Sequence, residues 1–197
     1  MEKIVVVGGG WAGCAAALAA KNLNAEVLLF EKNDLLLGTG LVGGIYRNNG
    51  RYTAAEEMIS LGAGELFILL DNNCVRHKNI NFPGHQHANL YDLFIVEKVV
   101  REYLLAKGIK IFFNSRVTDV ITKNKNIKAI ICNGKTYEGD VFIDATGTAG
   151  PQQNCIKYGN GCVMCIIRCP SFGGRVSITT KAGGEEITSQ NRVFQSY

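Results

Sequence analysis

The sequence has no apolar run long enough to cross a bilayer. Residues 15–20 are apolar and helical in pattern, but fall far short of the roughly 20 residues a span requires. No membrane partner is therefore expected. Glu2 and Lys3 lead straight into a short first strand, so no secretory leader is expected either. There is no basic stripe interleaved with aromatics. With a net charge of only +4, nucleic acid is not an expected partner, although an anionic small molecule would suit the chain. The most lysine-rich stretch, residues 123–128, has the pattern of a solvated hairpin tip. Internal repeats and low-complexity tracts are missing. Cysteine is present, but the seven residues make an odd number, and a parallel α/β domain needs no disulfides. That pattern places the chain in a reducing compartment, the cytoplasm.

What is present begins at once. Residues 2–7 form an apolar run with the character of a buried strand. It breaks into Gly8-Gly9-Gly10-Trp11-Ala12-Gly13, then an alanine-rich stretch, then a second apolar run ending in Phe30-Glu31. Strand, glycine turn, helix, strand and acid together make the dinucleotide-binding βαβ unit. Gly8 permits the tight turn. Gly10 lets the backbone approach a pyrophosphate, and Gly13 lets the helix lie close on the sheet. The helix N-terminus then offers free N–H groups to phosphate. Glu31 lies about 20 residues beyond the glycines, where a carboxylate can accept both ribose hydroxyls and would repel a 2′-phosphate. The bland alternative is a glycine turn in some other parallel α/β domain, with Glu31 solvated.

Further along, residues 12–22 read as the first helix and 26–30 as the second strand. Residues 35–50 hold a second glycine cluster, Leu37-Gly38-Thr39-Gly40-Leu41-Val42-Gly43-Gly44, read as a loop. Residues 54–70 suggest a helix interrupted near Gly62 and Gly64. Residues 71–90 are polar, with three histidines and a proline, and read as a long inserted loop, a kind of segment that is often functional. Tyr91-Asp92 then opens a helix with Asp92 as N-cap. Its apolar residues recur at helical spacing at Leu93, Val96, Val99, Val100, Tyr103 and Leu104. Gly108 ends it. A strand at 109–113 precedes a three-stranded meander at 117–121, 127–132 and 135–137, with Asn133-Gly134 as its second turn. A last strand, 141–143, runs into Asp144-Ala145-Thr146-Gly147. Composition shifts after Gly150. The expected organisation is a Rossmann-like domain over 1–150, with a parallel sheet and a small β meander. Residues 151–197 would then be the start of a second, β-rich substrate domain or a C-terminal extension.

A meander between a helix and a strand ending in Ala-Thr-Gly is not how simple NAD dehydrogenases continue. This order resembles the flavoproteins of the glutathione reductase class, which carry two dinucleotide-binding domains. Within them it is similar to the broad FAD-dependent oxidoreductase family, which includes flavoprotein subunits of heterodisulfide reductase type. The matching residues are Val5-Val6-Val7-Gly8-Gly9-Gly10-Trp11-Ala12-Gly13-Cys14, Glu31-Lys32, Gly38 to Gly44, Tyr91-Asp92, Ser115-Arg116-Val117-Thr118-Asp119-Val120 and Val141 to Gly147. The opening is also similar to the tRNA-modifying flavoproteins.

The resemblance implies FAD as cofactor. Gly8, Gly10 and Gly13 would surround the pyrophosphate, with Trp11 and Ala12 at the same turn. Glu31 would hold the adenosine ribose, with Lys32 beside it. The loop bearing Gly38, Thr39, Gly43 and Gly44 would run toward the flavin ring. Val117 would meet adenine through its backbone, and Ala145, Thr146 and Gly147 would pass close to the cofactor. Two departures stand out. Thr148 follows Ala-Thr-Gly where relatives commonly have an acid, and the family's later Gly-Asp motif for the flavin ribitol is not found before Tyr197. The expectation is therefore a truncated chain or one part of a split enzyme, completed by a partner subunit or a homodimer.

Catalytic residues are open. His85 and His87 are either solvated or offered to a substrate anion or as proton donors. Arg168 is a candidate for holding an anionic substrate. Cys155, Cys162, Cys165 and Cys169 either bind a metal or cluster, include a redox pair at Cys162 and Cys165, or simply pack as half-buried thiols. The leading expectation is hydride transfer between flavin and a small-molecule substrate. The alternatives are a non-catalytic nucleotide-binding subunit, an NAD(P)-binding domain, or a relative of the tRNA-modifying flavoproteins.

Overall fold

A computed structural model describes residues 1–44, 47–48, 53–147 and 171–185. Its centre is a four-stranded parallel sheet in which β1 (Lys3–Val7) pairs with β2 (Glu26–Phe30) on one side and with β9 (Val141–Asp144) on the other.

 The strand order is β5-β2-β1-β9, with β5 (Lys110–Phe112) beside β2 at one edge, and no hairpin joins any two of these strands. Strands of this kind are covered on both faces, which is why they read as unbroken apolar runs. Alternation divides them between two cores. Val6, Val27 and Leu29 face the helices, while Val5, Val7, Leu28 and Phe30 face the other side.

The helical layer contains α1 (Trp11–Asn22), α4 (Glu65–Asn73) and α5 (Val96–Ala106). α1 presents Cys14, Ala17 and Leu18 to the sheet, and Gly13 lies so close to the Gly8 carbonyl that a Cβ there would collide with it. α1 stops at Leu23, beyond which Asn24 turns to a left-handed φ of 61°. α5 buries Val96, Val100 and Leu104 at helical spacing. The opposite layer is the antiparallel meander β6 (Val117–Lys123), β7 (Asn126–Cys132) and β8 (Lys135–Glu138). Phe30 joins it to the sheet, stacking on Phe112 at 4.6 Å and meeting the Tyr137 ring edge-on at 4.8 Å. Asn133 and Gly134 both take positive φ, as the tight hairpin between β7 and β8 demands.

The interrupted helix at 54–70 is two helices, α3 (Ala54–Ser60) and α4, separated at the glycines. Three expectations need correction. Residues 71–90 are not a loop: α4 runs to Asn73, and β3 (Val75–Phe82) and β4 (His85–Tyr91) form an antiparallel hairpin. Its register shifts near His77 and Ile80, and Asn79 and His87 take positive φ, so no clean alternation of apolar residues marks the strands.

The helix expected to open at Tyr91-Asp92 starts at Val96, because Tyr91 closes β4. Asp92 instead holds the intervening turn, accepting from the Phe94 N–H at 2.9 Å and pairing with Arg76 at 2.8 Å. The second glycine cluster contains a short helix, α2 (Gly38–Val42), entered through a left-handed Leu37. Leu36 and Leu37 are fully buried and anchor that turn.

The described part of the C-terminal region returns to the first unit. Ile178, on α6 (Ile178–Lys181), enters the core between sheet and meander. The expected start of a β-rich second domain, together with Thr148, Cys155, Cys162, Cys165, Arg168 and Cys169, lies outside the described residues.

Candidate cofactor site

The site forms where β1, β2 and β9 end together. In a parallel sheet those ends share one side, and the loops leaving them make a crevice. The Gly8 N–H donates to the Phe30 carbonyl at 2.8 Å, and the Ala145 N–H donates to the Val7 carbonyl at 2.8 Å. Gly8 is therefore clasped between the other two strand ends. Its φ is 101°, and an added Cβ would run into the Ala145 carbonyl.

Gly9 carries a contact that the glycine pattern does not announce. Its N–H donates to Glu31 Oε2 at 2.7 Å, and its carbonyl accepts from the Leu37 N–H at 2.8 Å. One residue therefore ties the first glycine turn to the acid and to the second glycine cluster. Gly38 lies against Gly10, since a Cβ built on it would come 3.5 Å from the Gly10 Cα. Thr39 lies within α2, and Gly43 and Gly44 lie at its end.

Gly10 is the N-cap of α1. No side chain caps that helix, and no acid occupies its first turn. The leading N–H groups, including those of Trp11, Ala12 and Gly13, thus face out of the helix end. A Cβ on Gly10 would meet nothing within 4 Å. Open space over an uncapped helix N-terminus fits a pyrophosphate. The Trp11 ring turns away to pack on Phe67, 5.4 Å between centroids, so only its backbone belongs to this end.

Glu31 is buried, at 4% exposure. Its second oxygen accepts from the Asn33 N–H at 2.8 Å. The Ser115 N–H donates to the Glu31 carbonyl at 2.9 Å, which brings the chain leading into Val117 beside the acid. Val117 itself is buried and pairs with Cys132. Lys32 reaches the Gly173 carbonyl at 2.9 Å.

Sequence reasoning missed the work done by Asp144. Its Oδ1 accepts from the Thr146 N–H at 3.1 Å and the Thr146 hydroxyl at 2.6 Å. Its Oδ2 accepts from the Ser177 hydroxyl at 2.7 Å and the Thr179 N–H at 3.0 Å. Burial opposes the charged form, but these donors outweigh it and hold the carboxyl at about 2. Arg175 Nε adds bonds to the Thr146 and Gly147 carbonyls at 3.2 and 3.0 Å. The Ala-Thr-Gly turn is therefore pinned from both sides. The sequence signal was the Asp of Asp-Ala-Thr-Gly, but its partners lie some thirty residues onward.

The histidines stand on the hairpin. His85 Nδ1 is 2.7 Å from the Asn48 carbonyl, and its ring lies 4.6 Å from Phe82. His87 Nδ1 is 2.9 Å from Asn79 Oδ1. These described contacts are with the hairpin and Asn48, not with the glycine turn. Among the described residues, no group of three or more His, Cys, Asp or Glu side chains is placed to hold a metal. Burial pushes the Cys14 thiol up to about 12, which suits a packing role.

Fold and site together define a Rossmann-type dinucleotide-binding protein. The chain belongs to the FAD dependent oxidoreductase family, whose model matches residues 3–150, and FAD is the cofactor this assigns. The chain is similar to the chloroplastic zeaxanthin epoxidase of Spinacia oleracea, 28% identical over 166 residues that take in 74% of this chain and 24% of that protein. It is also similar to the tRNA uridine 5-carboxymethylaminomethyl modification enzyme MnmG of Aquifex aeolicus (strain VF5), 27% identical over 154 residues, 74% of this chain and 24% of that one. The chain spans about a quarter of the length of these relatives. Among solved structures, the Diels-Alderase PyrE3 matches with a TM-score of 0.55 at 17% identity, over 76% of this chain and 33% of that one. CtdE in complex with FAD matches with a TM-score of 0.51 at 23% identity, over 83% and 42%. At these identities the likeness is one of fold.

Proposed function

We propose that this chain is the FAD-binding part of an oxidoreductase in which hydride passes between flavin and a small-molecule substrate. The observation that carries the reading is the uncapped N-terminus of α1, open above Gly10, with the buried Glu31 carboxylate joined to the same turn. Bound FAD supplies the two-electron chemistry, and the chain supplies binding and orientation. The N–H groups of Trp11, Ala12 and Gly13 serve the pyrophosphate, and no acid in that turn repels it. The Glu31 carboxylate oxygens are of the acceptor type that ribose hydroxyls require. Lys32 flanks it. Gly38, Thr39, Gly43, Gly44 and Ala145 to Gly147 line the way toward the flavin, and the Val117 backbone serves adenine.

The finer class is that of glutathione reductase, supported by the meander inserted between α5 and β9. The flavin end is completed by further residues or a partner chain, a reading supported by the quarter-length match to the relatives. We place the protein in the cytoplasm, where free thiols such as Cys14, Cys74 and Cys132 persist. Titration of the purified chain with FAD, followed by flavin absorbance and fluorescence, tests the proposal. Saturable uptake is expected, and a colourless protein that binds NAD instead would overturn it. A second reading, a tRNA-modifying relative, is favoured by the likeness to MnmG. Binding of tRNA and folate by the FAD-loaded chain would select it.

A further inference from the structure

Asn33 stands two residues beyond Glu31 and is only 7% exposed. Its backbone is fully used. The N–H donates to Glu31 Oε1 at 2.8 Å, and the carbonyl accepts from the Asn114 N–H at 3.0 Å. Its side-chain Oδ1 is different: it is buried and has no hydrogen-bond partner among the described residues. An amide oxygen left this way forfeits the hydrogen bonds it made to water in the unfolded chain, and buried polar groups are seldom left unsatisfied without a reason. Water can satisfy such an atom, but so can a ligand. The surroundings favour the ligand. Asn33 is held against the carboxylate assigned to the ribose, and its neighbour Asn114 leads through Ser115 to Val117.

We infer that Asn33 is a recognition residue for the adenosine half of FAD, its Oδ1 accepting a hydrogen bond from an adenosine donor. Adenosine has two kinds of donor to offer, the ribose hydroxyls and the exocyclic amine of adenine. Either would satisfy the acceptor. The inference rests on the FAD reading above and adds to it a selectivity for the nucleoside.

The test uses Asn33→Leu, with FAD, ADP and inosine diphosphate as probes in calorimetric titrations beside the wild type. The variant should bind FAD and ADP about 3- to 10-fold more weakly, as loss of one hydrogen bond implies. Its ligand-free form should melt at a higher temperature than the wild type, because an orphaned acceptor has been replaced by an apolar group. If the wild type prefers ADP over inosine diphosphate and the variant does not, the amine is the donor. If both discriminate equally while the variant is weaker for each, the donor is a ribose hydroxyl. Should Asn33→Leu fail to fold, Asn33→Ser carries the ligand measurement. Unchanged affinities in a folded variant, or a lower melting temperature without ligand, would overturn the inference. A wild type that takes up no FAD or ADP would instead overturn the FAD reading itself.

Discussion

The Gly9 N–H and the Glu31 carboxylate are joined at 2.7 Å, so the acid is a structural member of the glycine turn as well as a group for the ribose. Its two oxygens satisfy two buried backbone donors, those of Gly9 and Asn33. Glu31→Ala should therefore act twice. FAD affinity should fall by roughly 1–3 kcal/mol for the lost charge-assisted acceptor. The ligand-free protein should also lose roughly 1–3 kcal/mol, because two donors are left unpaired. Chemical denaturation and FAD titration of the same sample check both. A loss of binding with unchanged stability would mean the backbone contacts do not form.

Gly8 and Gly10 should respond in opposite ways. Gly8→Ala puts a side chain into the Ala145 carbonyl at a φ of 101°, and is expected to cost about 2–4 kcal/mol of stability. Gly10→Val meets no protein atom within 4 Å of its Cβ, and should leave the fold within about 1 kcal/mol of the parent. It should nevertheless abolish FAD uptake, since the added carbons occupy the space over the helix end. Thermal melts paired with FAD titrations separate the two effects.

Asp144 makes part of the stability depend on pH in the acid range. Its carboxyl titrates at about 2 in the folded chain, below the ordinary value of 3.8. A lowered folded pKa means the contribution is complete above about 4 and disappears as pH falls through about 2. Allowing for the half-exposed position, roughly 1–2 kcal/mol is at stake. Asp144→Asn should flatten the stability profile between those pH values and free residues 173–181. Denaturation curves across that range, with proteolysis of the C-terminal segment, provide the check.

The parallel sheet was legible because its strands are short, apolar and bounded by glycines, and because Asn133-Gly134 marked the meander. The hairpin at 75–91 was not. Its bulges near His77 and Ile80 break the two-residue period that marks a strand, and its polar faces resemble a loop. Asp92 misled for a related reason. A good capping residue stood at the right distance from Val96, but it caps a turn rather than the helix. At the site, Gly8, Gly10, Gly13 and Glu31 were legible because each has a local geometric duty. The roles of Asp144, Arg175 and Asn33 were not, because their partners, or the lack of one, arise only when distant segments meet.

Cys14 should be inert in the native chain. The thiol is fully buried, donates to the Gly9 carbonyl at 3.4 Å and titrates near 12. A disulfide-exchange reagent at neutral pH should label it only on unfolding. Rapid labelling of Cys14 in the folded protein, located by peptide mapping, would show that the turn opens.

The central claim is that FAD binds with its pyrophosphate at the N-terminus of α1. It is tested most directly by titrating the wild type and Gly10→Val with FAD and with NAD, following flavin fluorescence and heat. Saturable FAD binding by the wild type, weaker or no binding of NAD, and no FAD binding by a folded Gly10→Val are the predicted results. FAD binding that survives Gly10→Val would contradict the account, as would a wild type that binds NAD and ignores FAD.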